Sequence, residues 1–122
     1  MSISNYAELK ILEHTTGKTA WTIPTTTYVK LHLADSGEDG TTSPAVNTSR
    51  QAVTWATAAS GSIASSATLT WTSVSTTETY SHWSLWDNST AGNCLWTGAL
   101  SSSAAVTAGD TFQITALTLS LD

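Results

Sequence analysis

The chain has 122 residues, only 11% of them charged, and nine carboxylates against four cationic side chains set its formal net charge at -5. That length fits one domain around one core and excludes a two-domain enzyme, while an acidic balance without a basic cluster excludes nucleic acid as a natural partner. With 24 Thr and 18 Ser, hydroxyl groups replace charge as the surface cover, and Thr favours pleated backbone because its branched side chain fits a strand.

The first fifteen or so residues read as helix. Asn5-Tyr6-Ala7-Glu8 has the N-cap and N3 pattern of a capping box, Tyr6, Leu9 and Leu12 recur at helical spacing, and Gly17 suits the stop. The spacing predicts a short helix within residues 1–17 with one wet face and one packed face. Trp21 lies between this helix and the first strand, where a plug under the helix is the expected role.

From Thr25 onward the period changes to two, which sends successive side chains to opposite faces of a sheet. Residues 27–33 place Val29, Leu31 and Leu33 on one side and Tyr28, Lys30 and His32 on the other, as in a half-buried antiparallel strand. Residues 35–49, rich in Gly, Ser, Thr and Asp, read as a long exposed loop. Residues 50–57 and 67–71 alternate around the turn signal Ser60-Gly61-Ser62 and are expected to form a hairpin. Residues 80–86 and 94–100, joined by a loop at 87–93, are expected to form a second one.

The last segment changes phase. Phe112 and Ile114 share one parity, whereas Leu117, Leu119 and Leu121 share the other, so a bulge or a crossing between sheets is expected near Ala116. Ala108-Gly109-Asp110 supplies the turn before it. Six or seven short strands separated by turn signals predict an all-β fold, a two-layer antiparallel β-sandwich over residues 25–122 with the helix on an edge or end, in a single domain spanning 1–122.

The single Cys94 excludes an intrachain disulfide and leaves no CxxC spacing for zinc. It reads as a small buried apolar residue. The opening residues lack a basic stretch followed by an apolar one, and no run approaches the roughly 18 apolar residues of a membrane span. A soluble protein without a Sec signal and without a membrane partner is expected.

Catalysis needs a nucleophile beside a base, or paired carboxylates in a cleft. His14, His32 and His82 fall in different elements, and neither GxSxG nor HExxH occurs. Among so many serines, a Ser near a His is expected by chance. No enzyme activity, catalytic residue or cofactor is therefore expected. The acidic run Asp35-Ser36-Gly37-Glu38-Asp39-Gly40 lacks the alternating acids and distal Glu of a calcium loop, and it reads as a solvated turn without a metal. Asn47-Thr48-Ser49 and Asn88-Ser89-Thr90 match the glycosylation sequon but read as polar loop residues in a chain without a secretory signal.

Six tryptophans stand out. Trp55, Trp71 and Trp83 fall in phase with Val53, Leu69 and Leu85 and read as core, whereas Trp96 is ambiguous. Trp86 shares parity with Tyr80 and His82, opposite Trp83. These three, with Tyr28 and His32 on the polar side of the first strand, are the candidate interface residues, either for a protein contact or as a sugar platform.

Several strings, in order along nearly the whole chain, resemble a family of short tailed-bacteriophage virion proteins labelled tail fibre, minor capsid or head decoration protein. They are Ser4-Asn5-Tyr6, Thr27-Tyr28-Val29-Lys30-Leu31, Arg50-Gln51-Ala52-Val53-Thr54-Trp55, His82-Trp83-Ser84-Leu85-Trp86-Asp87, Asn93-Cys94-Leu95-Trp96-Thr97-Gly98-Ala99-Leu100 and Ala108-Gly109-Asp110-Thr111-Phe112. This sequence carries Trp where similar proteins more often carry Phe or Tyr. The resemblance implies a non-enzymatic structural protein of the virion, made in the host cytoplasm.

A fibre that reaches a receptor gains length from repeats or a trimeric stalk, and neither heptads nor repeats are visible. Compact size therefore points to a cement protein decorating the head, with the major capsid protein or further copies of itself as partners and a self-complementary or trimeric form compatible. The alternative is a tail-fibre or tail-tip module that binds host glycan through Trp86, Tyr80 and the loops 35–49 and 87–93.

Overall fold

The computed structural model describes residues 1–121. It opens with a two-residue strand, β1 (Ser2–Ile3), and a helix, α1 (Asn5–Thr15). The helix is capped by Ser4 and not by Asn5: the Ser4 hydroxyl oxygen accepts from Ala7 N–H at 3.1 Å. The same hydroxyl donates to the Cys94 carbonyl, and Ser4 N–H donates to Leu95 O at 3.0 Å. One serine thus both starts the helix and ties it to a strand, which Asn5 one position later cannot do. Ser4 and Ala7 are buried and Tyr6 packs against the core, whereas Leu9 and Leu12 are 64% and 60% exposed. The anchor at Ser4 sets the rotation of the helix, and the small Ala7 side chain lets the two backbones approach. Gly17, at φ +74°, ends the helix as expected.

Five antiparallel strands form the main sheet in the order β1, β7 (Cys94–Val106), β6 (Glu78–Trp86), β2 (Thr27–His32), β3 (Gln51–Val53). The other layer is divided into two ladders. β4 (Ser62–Ala64) pairs with β9 (Thr118–Ser120), and β5 (Leu69–Trp71) pairs with β8 (Phe112–Ile114). Val29, Leu31, Trp83 and Leu85 of the sheet meet Leu69, Trp71, Ile114 and Leu119 of the ladders in the core. The architecture is mostly β and antiparallel as expected, with nine strands among the described residues in place of six or seven.

The division follows from the phase change in the last segment. After Ile114 the chain leaves β5, turns over residues 115–117, and joins β4 at Thr118, so both parities of apolar residue are buried. Ser65 fixes the corner from the opposite side: its N–H donates to Leu117 O at 2.8 Å and its Oγ accepts from Leu117 N–H at 3.0 Å.

The expected hairpin of residues 50–57 with 67–71 exists only near its tip. Ala59 and Ser62 close a tight turn in which Ser60 and Gly61 both have positive φ, +52° and +73°, and Trp55 bridges Ser65. Its arms then separate, because β3 pairs with β2 and β5 pairs with β8. The β6–β7 hairpin forms as expected.

Loop 33–50 is not the exposed excursion that its composition predicts. Leu33 N–H donates to Ser43 O and Ala45 N–H to Leu31 O, a backbone pairing that folds the loop back along β2. Ser36, Gly40, Ala45 and Asn47 are buried in consequence. A Cβ added at Gly40 would lie 2.7 Å from Cys94 Sγ and 3.0 Å from the Trp86 ring, and φ there is +69°. Only glycine lets this backbone rest on Trp86.

Candidate functional site

Trp86, Tyr80 and His32 are buried within the chain, which corrects their placement on an exposed surface. For Tyr80 the cause is a register shift between Tyr80 and His82. It turns Tyr80 to the core side with Trp83 and Leu85, where its ring meets Phe112 at 5.1 Å. The Tyr80 hydroxyl is buried without a hydrogen-bond partner among the described residues, and burial raises its pKa. Tyr28 and His82 are half-buried on the other side of the sheet, opposite Trp86 and His32 respectively.

Trp86 keeps the parity the sequence gives it but is covered by loop and cation. The Arg50 guanidinium carbon lies 4.1 Å from the ring centroid and the Lys30 amine 5.8 Å away. The same guanidinium donates to the carbonyls of Asn88 and Ala91 at 2.7 and 2.8 Å, so Arg50 also sets the conformation of loop 87–93. Burial lowers the pKa of both cations, and for Lys30 the neighbouring Arg50 adds to the effect.

Under Trp86 runs a directional hydrogen-bond chain. Thr42 O can only accept, so His32 Nδ1 donates to it at 2.9 Å and Nε2 is the acceptor. Ser84 Oγ then donates to Nε2 at 2.7 Å and accepts from the Trp86 indole N–H, also at 2.7 Å. Burial lowers the His32 pKa, in keeping with a neutral ring. A Ser beside a His is here a fully buried strut holding loop residue Thr42, because the Ser84 hydroxyl reaches no cavity. His82 makes a second such pair: Ser81 Oγ donates to Leu33 O, which leaves it to accept from His82 Nδ1 at 2.8 Å. Burial, with Asp39 nearby, pushes the Cys94 thiol up to about 12, so the side chain is an inert apolar filler.

The acidic run folds as turns. Asp35 Oδ1 accepts from Gly37 N–H, and Asp39 Oδ1 accepts from the N–H and hydroxyl of Thr41 at 3.0 and 2.7 Å. Among the described residues no group of three or more His, Cys, Asp or Glu is placed to hold a metal ion. Nor, among them, is any helix long and apolar enough to cross a membrane.

An open cleft of about 440 Å³ lies between α1, segment 20–24 and loop 87–93. One wall is aromatic: Trp21 packs edge-on against Tyr6 with ring centroids 6.4 Å apart, and its backbone N–H donates to His14 Nδ1 at 3.1 Å. Trp21 therefore does plug against the helix, yet part of the ring remains open. The other wall is polar. Asp87 accepts from Asn93 through its backbone N–H at 2.8 Å and its side-chain amide at 2.9 Å, with Asn88 exposed beside them. Sequence reasoning found loop 87–93 but set it beside Trp86 and Tyr80. The pairing of this loop with Trp21 depends on where Ser4 anchors the helix, and alternation within strands carries no trace of it.

No curated protein matches the chain. A protein family described as Podophage GP4 fiber I protein gp80 does, over residues 2–122.

Proposed function

Because the chain belongs to the podophage GP4 fiber I protein gp80 family, we propose that this phage virion structural protein serves as a folded, non-catalytic module of the particle's fibre. The observation that carries the reading is the family match over nearly the whole chain. Two features of the fold support it. The Ser84–His32 pair is sealed as a strut, the Ser81 hydroxyl beside His82 is committed to the Leu33 carbonyl, and with only 11% of the residues charged the polar cover is largely hydroxylic, which suits packing against neighbouring virion proteins or further copies at modest desolvation cost.

The fibre is preferred to the head surface because the matching family is described as a fibre protein, whereas the cement reading rests on compact size, the absence of heptads, repeats and catalytic motifs, and one of several labels of similar proteins. The test is a phage in which the gene for this chain is interrupted. Its particles should lack fibres, or carry truncated ones, while their heads retain wild-type resistance to heat and chelation. Intact fibres on particles with fragile heads would overturn the reading in favour of decoration.

A further inference from the structure

We propose that the cleft between α1, segment 20–24 and loop 87–93 is a binding site for a neutral saccharide, a hexose or N-acetylhexosamine unit. A pyranose ring presents an apolar C–H face and a rim of hydroxyls that both donate and accept. The cleft supplies a partner for each. Trp21 and Tyr6, both half-buried, form an aromatic wall against which a C–H face can lie. The indole N–H groups of Trp55, Trp71, Trp83 and Trp86 are hydrogen-bonded within the chain, whereas those of Trp21 and Trp96 have no partner among the described residues, and of these two only Trp21 lines the cleft, where its N–H is free to donate.

Opposite stand planar groups suited to adjacent hydroxyls. The two bonds from Asn93 occupy half of the roughly four acceptor positions of the Asp87 carboxylate. They also orient the Asn93 amide, whose oxygen is left to accept. The wall is built before any ligand arrives, because Arg50 clamps the carbonyls of Asn88 and Ala91. A preorganised loop loses little freedom on binding. The volume, about 440 Å³, falls in the usual range for small-ligand sites, roughly 300–1,000 Å³.

Charge selects among sugars. Lys10 and Asp87 both line the cleft, but Lys10 is paired with Glu13 at 3.9 Å and so offers an anion no free cation, and the chain as a whole carries -5. Acidic sugars are disfavoured on both counts. The inference goes beyond the fibre reading and is independent of it: binding is measured on isolated protein, so failure to bind leaves the fibre assignment standing, and relocation of the protein within the virion leaves the binding result standing.

The experiment is a titration of ¹⁵N-labelled protein with glucose, galactose, N-acetylglucosamine and N-acetylgalactosamine, with glucuronate as the charged control. At least one neutral sugar should shift the Trp21 indole and the Asn88 and Asn93 side-chain amides in a saturable way, with glucuronate about tenfold weaker or more. Trp21→Ala should weaken binding about tenfold or more, and Asn88→Ala, at an exposed position, about threefold or more with an otherwise unchanged spectrum. Gly92→Ala should abolish it, because the added Cβ meets the Asp87 carboxylate and φ is +77°. Absence of these shifts with every neutral sugar, equal binding of glucuronate, or full affinity in a folded Trp21→Ala protein would overturn the proposal.

Discussion

The guanidinium of Arg50 lies over Trp86, its carbon 4.1 Å from the ring centroid, while two of its N–H groups hold the carbonyls of Asn88 and Ala91. One side chain therefore both shields an indole from water and shapes the loop that forms the polar wall of the cleft. Arg50→Ala is expected to cost about 1–3 kcal/mol, the loss of a cation–π contact and two charge-assisted hydrogen bonds at a partly exposed position. Arg50→Lys should not restore it, since an ammonium cannot stack and fork at once. Urea denaturation of the three proteins measures the difference, and equal midpoints would show that the clamp contributes nothing.

Gly40 rests on the same indole from the side of loop 33–50. Gly40→Ala should destabilise by about 1–3 kcal/mol through overpacking and positive φ together. Adding Cys94→Ala removes the nearest colliding atom, so the double variant should be more stable than the sum of the single effects allows. Strict additivity would place Gly40 away from Cys94.

His32 makes stability depend on pH in a definite direction. Burial holds its pKa below the ordinary 6.5, so as the pH falls the unfolded chain takes up the proton first. Its contribution is full above about pH 6.5 and is lost below it until the folded-state pKa is reached. Lys30 and His82 act in the same sense as burial, and the Thr42 carbonyl opposes them. Thermal unfolding between pH 8 and pH 5 should therefore show a falling midpoint in the wild type and a flatter profile in His32→Gln, at a lower absolute stability. Identical slopes would mean that another group carries the dependence.

Tyr80 offers a substitution expected to help. Its hydroxyl is buried without a partner among the described residues, so Tyr80→Phe removes an unsatisfied polar group while keeping the contacts of the ring with Phe112. The variant should be as stable as the wild type or more stable by about 1 kcal/mol. A loss of 1 kcal/mol or more in chemical denaturation would mean that the hydroxyl does make a bond, with Asn47 or Glu78 the nearest candidates.

Strand content and the corner near Ala116 were legible because alternation is a local signal: each parity has to face something apolar, and a break in parity has to be a change of partner. The β6–β7 hairpin was legible for the same reason. What escaped was decided by residues far apart in sequence. Ser4 beats Asn5 as the cap only because Cys94 O is within reach, and the helix then turns Leu9 and Leu12 outward. The Tyr80 register shift is absorbed opposite residues 100–103, where the serine run gives no sign of it. Trp86 reads as surface until Arg50 and Gly40 are brought over it, and no periodicity within β6 reports their arrival.

Cryo-electron microscopy of the intact particle tests the central assignment most directly. The account predicts that the antiparallel sheet of β1, β7, β6, β2 and β3, with its two ladders, fits density in a fibre attached to the virion. Density for this fold repeating over the head lattice, with none in the fibres, would contradict it.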